Sequence, residues 1–170
     1  MKLFAVYIGG QLEGANIELH DMRFVAAASI GETHEELRRQ WWGIPKTLHI
    51  DGWAELNEVD GYRISLRPEP YAGSEKLFYI NLGGYDPAEF LEKHMNVFVV
   101  AASVSAAKAR ALDPVKHWKL PHRDDMYEAH QVFRLKIVSN PPLHVHFERL
   151  AEVKPLAFRC NYWPIGLPPR

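Results

Sequence analysis

The chain has 170 residues, of which 47% are hydrophobic and 24% charged, a balance typical of folded globular proteins rather than disordered ones. A formal net charge of −1 argues against nucleic acid and anionic membranes as partners, and a single cysteine excludes an internal disulfide. No segment has the pattern of a signal peptide or approaches the roughly 20 apolar residues of a membrane span, so we expect a cytoplasmic protein.

The chain begins with a predicted strand over residues 3–8, where nearly every side chain is apolar. Gly9-Gly10 is expected to end this strand, because glycine pairs interrupt regular structure. A second strand is predicted over residues 23–28. The continuous apolar character of both segments predicts strands with little solvent exposure.

A helix is predicted over about residues 30–42, where apolar residues recur at helical intervals. Ser29 and Glu32 have the spacing of a capping box at its start. Gly43 is expected to follow its end, as glycine often does where a helix reverses its backbone conformation.

Residues 47–56 and 61–67 alternate enough to predict two further strands. Asp60-Gly61 between them is a typical hairpin turn, so we expect the two strands to pair with each other. Prolines and a glycine then predict a linker over residues 68–75.

In the second half, Asp86-Pro87 predicts the start of a short helix over residues 86–92, with aspartate as N-cap and proline at the first helical position. Residues 104–112 predict the second main helix. Residues 143–148 alternate apolar and polar side chains and predict a strand. The last ten residues, 161–170, are expected to form an irregular tail that packs through aromatic residues or covers a sheet edge.

Residues 2–38 and 76–112 align without a gap and are identical at 12 of 37 positions, where about two or three matches would arise by chance. This indicates an internal duplication into units of about 70 residues, near the lower limit for an independent core. We therefore predict an α+β fold of two tandem β-β-α-β-β repeats, related by an approximate two-fold and sharing a core. The predicted divisions are repeat 1 at 1–67, the linker at 68–75, repeat 2 at 76–138, and a C-terminal strand and tail at 139–170.

Three strings, LFAVYIGG, GANIELHDMRFVAA and ETHEELRRQWWG, resemble a small bacterial family known as domain of unknown function 1543. The resemblance covers about residues 2–138. It implies a tandem, two-copy member, since the domain occurs singly or in pairs. The second copy departs from the pattern at residues 90–96, where only Glu-x-His is kept. The resemblance implies no catalytic residues.

Histidine and carboxylate pairs recur at equivalent positions of the two copies. They are Glu18 with His20 and Glu92 with His94, before the second strand of each copy, and His49 with Asp51 and His122 with Asp124, further along. Imidazole and carboxylate together can bind a metal, exchange protons or contact a ligand. The alternative is structural, with hydrogen bonds inside each unit for the first pairs and a polar hairpin face for the others.

His144 and His146 have the spacing at which neighbouring side chains on one strand face can share a metal ion. Glu148 lies on the same predicted face. One straight strand cannot supply all three ligands, so a metal site there would need a ligand from elsewhere. Simple amphipathic alternation is the competing interpretation.

Three classes of function are compatible with these patterns. A non-catalytic module that binds a small molecule or another protein between the two repeats is favoured, because no ordered catalytic motif occurs. A His/carboxylate enzyme, with or without a metal, is one alternative, and a structural subunit of a homo-oligomer is another. The sequence does not identify a cofactor. The balance of −5 over residues 1–75 and +4 over the remainder favours docking of the halves, or of chains head to tail.

Overall fold

The computed structural model describes residues 1–86, 88–112, 129–134 and 142–166. Within these residues the chain is mostly strand with two short helices, which confirms a mixed fold of the α+β kind. The strands are Lys2–Gly10 (β1), Leu19–Ala27 (β2), His49–Glu55 (β3), Glu58–Val59 (β4), Tyr62–Arg67 (β5), Lys76–Gly84 (β6), Lys93–Ala101 (β7), Ala129–Arg134 (β8), His144–Arg149 (β9) and Phe158–Pro164 (β10). The α-helices are His34–Gln40 (α1) and Val104–Ala111 (α2), and single 3-10 turns cover Ile30–Thr33 and Pro45–Thr47.

The described strands form three antiparallel sheets. Sheet A has the order β10-β3-β1-β2, sheet B the order β4-β5-β9, and sheet C the order β7-β6-β8. Strands β6 and β7 pair in the same register as β1 and β2, with every residue number higher by 74. Both central strands also shift register against their third strand at equivalent points, between Tyr7 and Ile8 in sheet A and between Asn81 and Leu82 in sheet C.

Alternating side chains of the central strands build the core. Phe4, Val6 and Ile8 of β1 pack with Leu37 of α1 in one hydrophobic cluster. Phe78, Ile80 and Leu82 of β6 pack with two alanines of α2 in another. Each central strand is therefore covered by a helix on one face, and its other face is left for the middle of the molecule.

The middle cluster joins residues of all three sheets. Leu3 and Ala5 of sheet A meet Ile64 of sheet B and Leu77 and Val100 of sheet C. At about 25 cal/mol per Å² of buried apolar surface, this shared contact stabilises the packing of the halves on each other.

A tight turn adds a polar link between the sheets. Asp60 and Gly61 have φ angles of 54° and 78°, the left-handed geometry of a type I′ hairpin turn. The Asp60 carboxylate accepts a hydrogen bond from the Val100 backbone N–H at 2.8 Å. Arg110 donates both to that carboxylate and to the Val100 carbonyl oxygen, so α2, β7 and the turn are held together.

The predicted hairpin between residues 47–56 and 61–67 is wrong in its pairing. The turn at Asp60-Gly61 does form, but it joins β5 to the two-residue strand β4. Strand β3 pairs instead with β1 and β10. Both edges of β3 are then paired inside sheet A and four of its seven residues are buried, and this outweighs the pairing suggested by the local turn signal.

Both main helices lie where they were predicted, and only α1 is clearly shorter than expected. Helix α1 ends at Gln40, and Gly43 lacks the positive φ expected of a helix-terminating glycine. At the start, the Glu32 carboxylate accepts from the Ala28 N–H at 3.1 Å, whereas the Ser29 side chain caps no backbone N–H. The short helix expected over residues 86–92 is wrong, because the described residues there form only a turn before β7 begins.

The C-terminal part is more regular than predicted. Strand β9 occurs where the alternation indicated, and it pairs with β5. The expected irregular tail instead contributes to β10, which covers the outer edge of β3, and Trp163 packs against the cluster under α1. In the described residues, no helix has the length and apolar character needed to cross a membrane.

Candidate functional site

Gly9 of β1 lies between two histidines on neighbouring strands. It faces His20 of β2 on one side and His49 of β3 on the other. A Cβ atom at Gly9 would lie 2.7 Å from His20 Cδ2 and 2.7 Å from His49 Nε2. The two imidazoles can therefore meet over the central strand only because this position has no side chain.

A register shift places Asp51 beside them. The pairing of β1 with β3 changes between Tyr7 and Ile8, so that Asp51 is an extra residue on β3. Ile50 and Trp53, on either side of the shift, both pack into the cluster under α1. In a regular strand, residues three apart would point to opposite faces. Asp51 stays on the opposite face with the histidines, as expected where a bulge re-aims side chains.

Glu18, His20, His49 and Asp51 form what we call the His-carboxylate cluster. His20 Nε2 is 3.2 Å from Asp51 Oδ2 and 3.5 Å from Glu18 Oε1. His49 Nε2 is 3.5 Å from Asp51 Oδ1 and 3.7 Å from Glu18 Oε2. Each carboxylate thus lies close to both imidazole nitrogens.

His49 is held in one orientation from behind. Its Nδ1 is 2.9 Å from the carbonyl oxygen of Thr47, an acceptor, so the Nδ1–H donates and Nε2 faces the cluster. Thr47 is itself fixed, since its hydroxyl donates to Ile44 O at 2.8 Å and accepts from Gln11 N at 2.9 Å. The His49 side chain is only 3% exposed, with the Tyr162 ring 4.6 Å away.

Two buried polar atoms of the cluster have no hydrogen-bond partner among the described residues. They are His49 Nε2 and Asp51 Oδ2. The neighbouring contacts are short but do not have hydrogen-bond geometry. Buried polar atoms without partners cost free energy, and such atoms are common where a ligand or ion completes the site.

The electrostatic environment is negative. Tyr7 stacks on His20 with ring centroids 5.3 Å apart. Burial raises the pKa of the Tyr7 hydroxyl, and the nearby Asp51 and Asp21 carboxylates raise it further. These carboxylates favour a cation and oppose a second anion.

The cluster borders a large cavity. The cavity has a volume of about 770 Å³ and is lined by residues of β1, β2, β3 and β7, by Val59 and Asp60, and by five residues between positions 154 and 160. Its lining is mainly apolar and includes Met22 and Phe98. Asp51 belongs to both the cavity wall and the cluster, and Tyr7, which stacks on His20, also lines the cavity. A molecule in the cavity would therefore contact the cluster at one end.

The second half repeats part of this arrangement. Gly83 faces His94 as Gly9 faces His20, and His94 Nε2 lies 3.5 Å from Glu92 Oε2. His94 Nδ1 is 3.3 Å from Asn81 Oδ1, at the position that Tyr7 has in the first half. The other two predicted site residues of this half, His122 and Asp124, lie outside the described residues.

The structure unites two pairs that the sequence presented separately. Glu18 and His20 meet His49 and Asp51 across β1, all within residues 18–51. The interpretation of His49 as part of a polar hairpin face is wrong, because the residue is 2% exposed.

The two histidines of β9 are placed differently. His146 Nε2 lies 2.7 Å from the carbonyl oxygen of Glu69, so this nitrogen acts as a hydrogen-bond donor and is not free to bind a metal. Glu148 pairs with Arg63 at 3.1 Å. Among the described residues, the group of three potential metal ligands that lie close together consists of Glu18, His20 and His49. It includes neither His144 nor His146.

Sequence reasoning missed Gly9, Tyr7 and Thr47. The Gly9-Gly10 pair was expected to end the strand, whereas β1 continues through both glycines. The available signal was the repetition of the pair as Gly83-Gly84, since a glycine inside a strand often marks close approach of other groups.

Comparison with known proteins gives a family but no activity. Residues 15–66, which include all four residues of the His-carboxylate cluster, match the family described as Domain of Unknown Function (DUF1543). The chain is similar to a protein of known crystal structure, protein Il1583 from Idiomarina loihiensis, with 35% identity and a TM-score of 0.69. The similarity covers 96% of this chain and 97% of that one. No curated protein matches the chain.

Proposed function

We propose that this chain, which matches the DUF1543 family over residues 15–66 and is similar to the Idiomarina loihiensis protein over 96% of its length, binds a small molecule between its two halves. The observation that carries the proposal is the cavity of about 770 Å³ between sheet A and β7. Ligand-binding cavities commonly have volumes of about 300–1,000 Å³ and are mostly apolar with a few polar groups. The cavity meets both criteria.

The lining indicates the kind of ligand. Met22, Phe98 and Leu156 supply apolar surface. Lys154 and Arg159 are two basic residues in the C-terminal part of the lining. A mostly apolar organic molecule with a polar end fits this distribution. Its polar end would lie toward Asp51 or toward the two basic side chains.

The internal duplication is part of the proposal. The equal registers in sheets A and C, the equivalent register shifts, and the 3.5 Å Glu–His distances in both halves support two copies of one unit. We further propose that the copies are related by an approximate two-fold and enclose the ligand between them. The middle cluster, with residues from all three sheets, supports the shared core.

The only cysteine of the chain provides a built-in reporter. Cys160 is exposed and lines the cavity. A free thiol of this kind also suits the reducing cytoplasm that we propose as the location. Occupation of the cavity should slow the reaction of Cys160 with dithiobis(nitrobenzoate).

The experiment uses the dye 8-anilinonaphthalene-1-sulfonate, which has an apolar body and a polar end. We expect saturable fluorescence with the parent protein and slower reaction of Cys160 in its presence. Met22→Trp should fill part of the cavity and weaken dye binding at least about tenfold. Val104→Trp, an equivalent insertion at an exposed position outside the lining, is the control. Binding that is not saturable, or equal in Met22→Trp and the parent, would refute the proposal.

A second candidate is a metal-dependent enzyme of the His/carboxylate type. It is favoured by one observation, that Asp51 lines the cavity and also belongs to the His-carboxylate cluster. An ion in the cluster would then face a bound molecule. Stoichiometric binding without chemical change of a bound compound supports the binding module, whereas turnover supports the enzyme.

A further inference from the structure

We propose that Glu18, His20, His49 and Asp51 bind one divalent first-row transition-metal ion, with Zn²⁺ as the best match. The proposal concerns the cluster alone and holds whether or not the adjacent cavity binds an organic ligand. It rests on three independent features of the site: the spacing of the donor atoms, the orientation of His49, and the space above Gly9.

The spacing of the donor atoms fits one ion. Zinc lies about 2.0–2.2 Å from imidazole nitrogen and carboxylate oxygen, so two ligands of a tetrahedral site are about 3.4 Å apart. The four nitrogen-to-oxygen distances in the cluster are 3.2, 3.5, 3.5 and 3.7 Å. One ligand atom from each of Glu18, His20 and His49 also lies within 4.8 Å of the others. Each distance joins a histidine nitrogen to one oxygen of a carboxylate, and all four are close to the spacing of two ligands on one ion; Glu18, His20 and His49 converge, and Asp51 adjoins both histidines as the fourth proposed ligand.

His49 is prepared as a ligand rather than as a hydrogen-bond donor. Its Nδ1–H is used by the Thr47 carbonyl, which is the arrangement that fixes the tautomer of metal-binding histidines. The other ring nitrogen, Nε2, is buried and faces the two carboxylates without a hydrogen-bond partner among the described residues; in the neutral tautomer with a proton on Nδ1, it carries the lone pair that binds a metal. A metal cation in this space would pair with the Nε2 atom and with both carboxylates, and so would satisfy all three groups at once.

The scaffold supports the same conclusion. The two histidines stand on strands on either side of β1, and Gly9 leaves the space between them open. The shift in register presents Asp51 to that space from β3. Three ligands on the two strands that flank β1 form a rigid site, and Glu18, 47% exposed and just before β2, is the ligand with most freedom to close it.

The donor set selects the class of ion. Two imidazoles with two carboxylates suit Zn²⁺ and other borderline ions such as Fe²⁺ or Co²⁺, whereas Ca²⁺ and Mg²⁺ prefer oxygen alone. No thiol takes part, because Cys160 is not among the ligands that converge. Cu⁺, which prefers sulfur, is therefore not the expected ion.

The test uses the full chain, freed of metal with a chelator and titrated with Co²⁺ and with Zn²⁺. We expect one equivalent of Co²⁺ to produce the visible absorption of a low-symmetry, roughly tetrahedral site, and Zn²⁺ to displace it. Glu18→Gln removes one ligand at a half-exposed position and should weaken binding at least about tenfold while leaving the circular dichroism spectrum unchanged. Glu35→Gln, on the exposed start of α1, is the matched control and should bind as the parent does.

His49→Gln tests the buried ligand. We expect it to abolish the Co²⁺ absorption, and the Glu18 variant keeps the proposal testable if His49→Gln does not fold. The proposal is overturned if the parent binds neither ion, or if Glu18→Gln binds both ions as tightly as Glu35→Gln.

Discussion

Gly9→Ala is the most direct test of the site geometry. The added methyl group would lie 2.7 Å from His20 Cδ2 and His49 Nε2 and 2.9 Å from Asp51 Oδ2, closer than real contacts allow. His20 is one-third exposed and can turn away, but His49 is 3% exposed and hydrogen-bonded to Thr47, so it cannot. The substitution therefore overpacks a site that can relax on one side only.

The expected cost follows from this one-sided relaxation. Overpacking of a well-packed site typically costs about 1–3 kcal/mol, and a protein of this size loses about 2–4 °C of Tm for each kcal/mol. We expect Gly9→Ala to lower Tm by about 2–12 °C in metal-free protein. Because His20 must leave its position over β1, Co²⁺ affinity should fall by at least about tenfold in the same variant.

The assay is thermal unfolding followed by circular dichroism, with Co²⁺ titration alongside. Gly31→Ala is the control, since a Cβ at Gly31 would meet only the Ser29 hydroxyl, at 4.0 Å. That variant should be as stable as the parent or slightly more so, because alanine is the better helix former. The geometric argument fails if Gly9→Ala matches Gly31→Ala in both Tm and Co²⁺ affinity.

Three further predictions concern the rest of the fold. Asp60→Ala should lower the free energy of unfolding in urea by about 2–4 kcal/mol, because it leaves the Val100 N–H unpaired, breaks the Arg110 contact and places alanine at a positive φ. Asp60→Asn should cost less, because asparagine tolerates that φ. Equal losses in the two variants would contradict this account. Burial, with a smaller contribution from the Asp21 charge, raises the pKa of Tyr79 to about 12. The stability that its protonated form contributes is therefore intact below pH 10 and is lost as the pH rises toward 12. Tyr79→Phe should reduce this loss of unfolding free energy between pH 10 and 12, and an unchanged pH dependence would refute the prediction. His146→Ala should leave Co²⁺ binding unchanged and lower the free energy of unfolding by about 1 kcal/mol, because the hydrogen bond to Glu69 is lost. Loss of Co²⁺ binding in this variant would show that β9 supplies a ligand.

The elements of the candidate site could be read from the sequence, but their arrangement could not. The residue types and local spacing of Glu18, His20, His49 and Asp51 marked them as two separate pairs. Their union depends on β1 lying between β2 and β3, a contact between segments about 30 residues apart. Local spacing carries no information on which strands will be neighbours, and here the turn signal at Asp60-Gly61 suggested the wrong neighbour.

By itself, the sequence determined the central strands, the two helices, the hairpin turn and the correspondence between residues 2–38 and 76–112. These features depend on periodicity, turn chemistry and identity, which are local properties. Only the tertiary structure decided that β3 joins sheet A and that a cavity opens beside β7. It also decided that two histidines meet over Gly9, where there is no side chain. The physical reason is that strand pairing depends on the burial achieved by the whole chain, which no short segment determines.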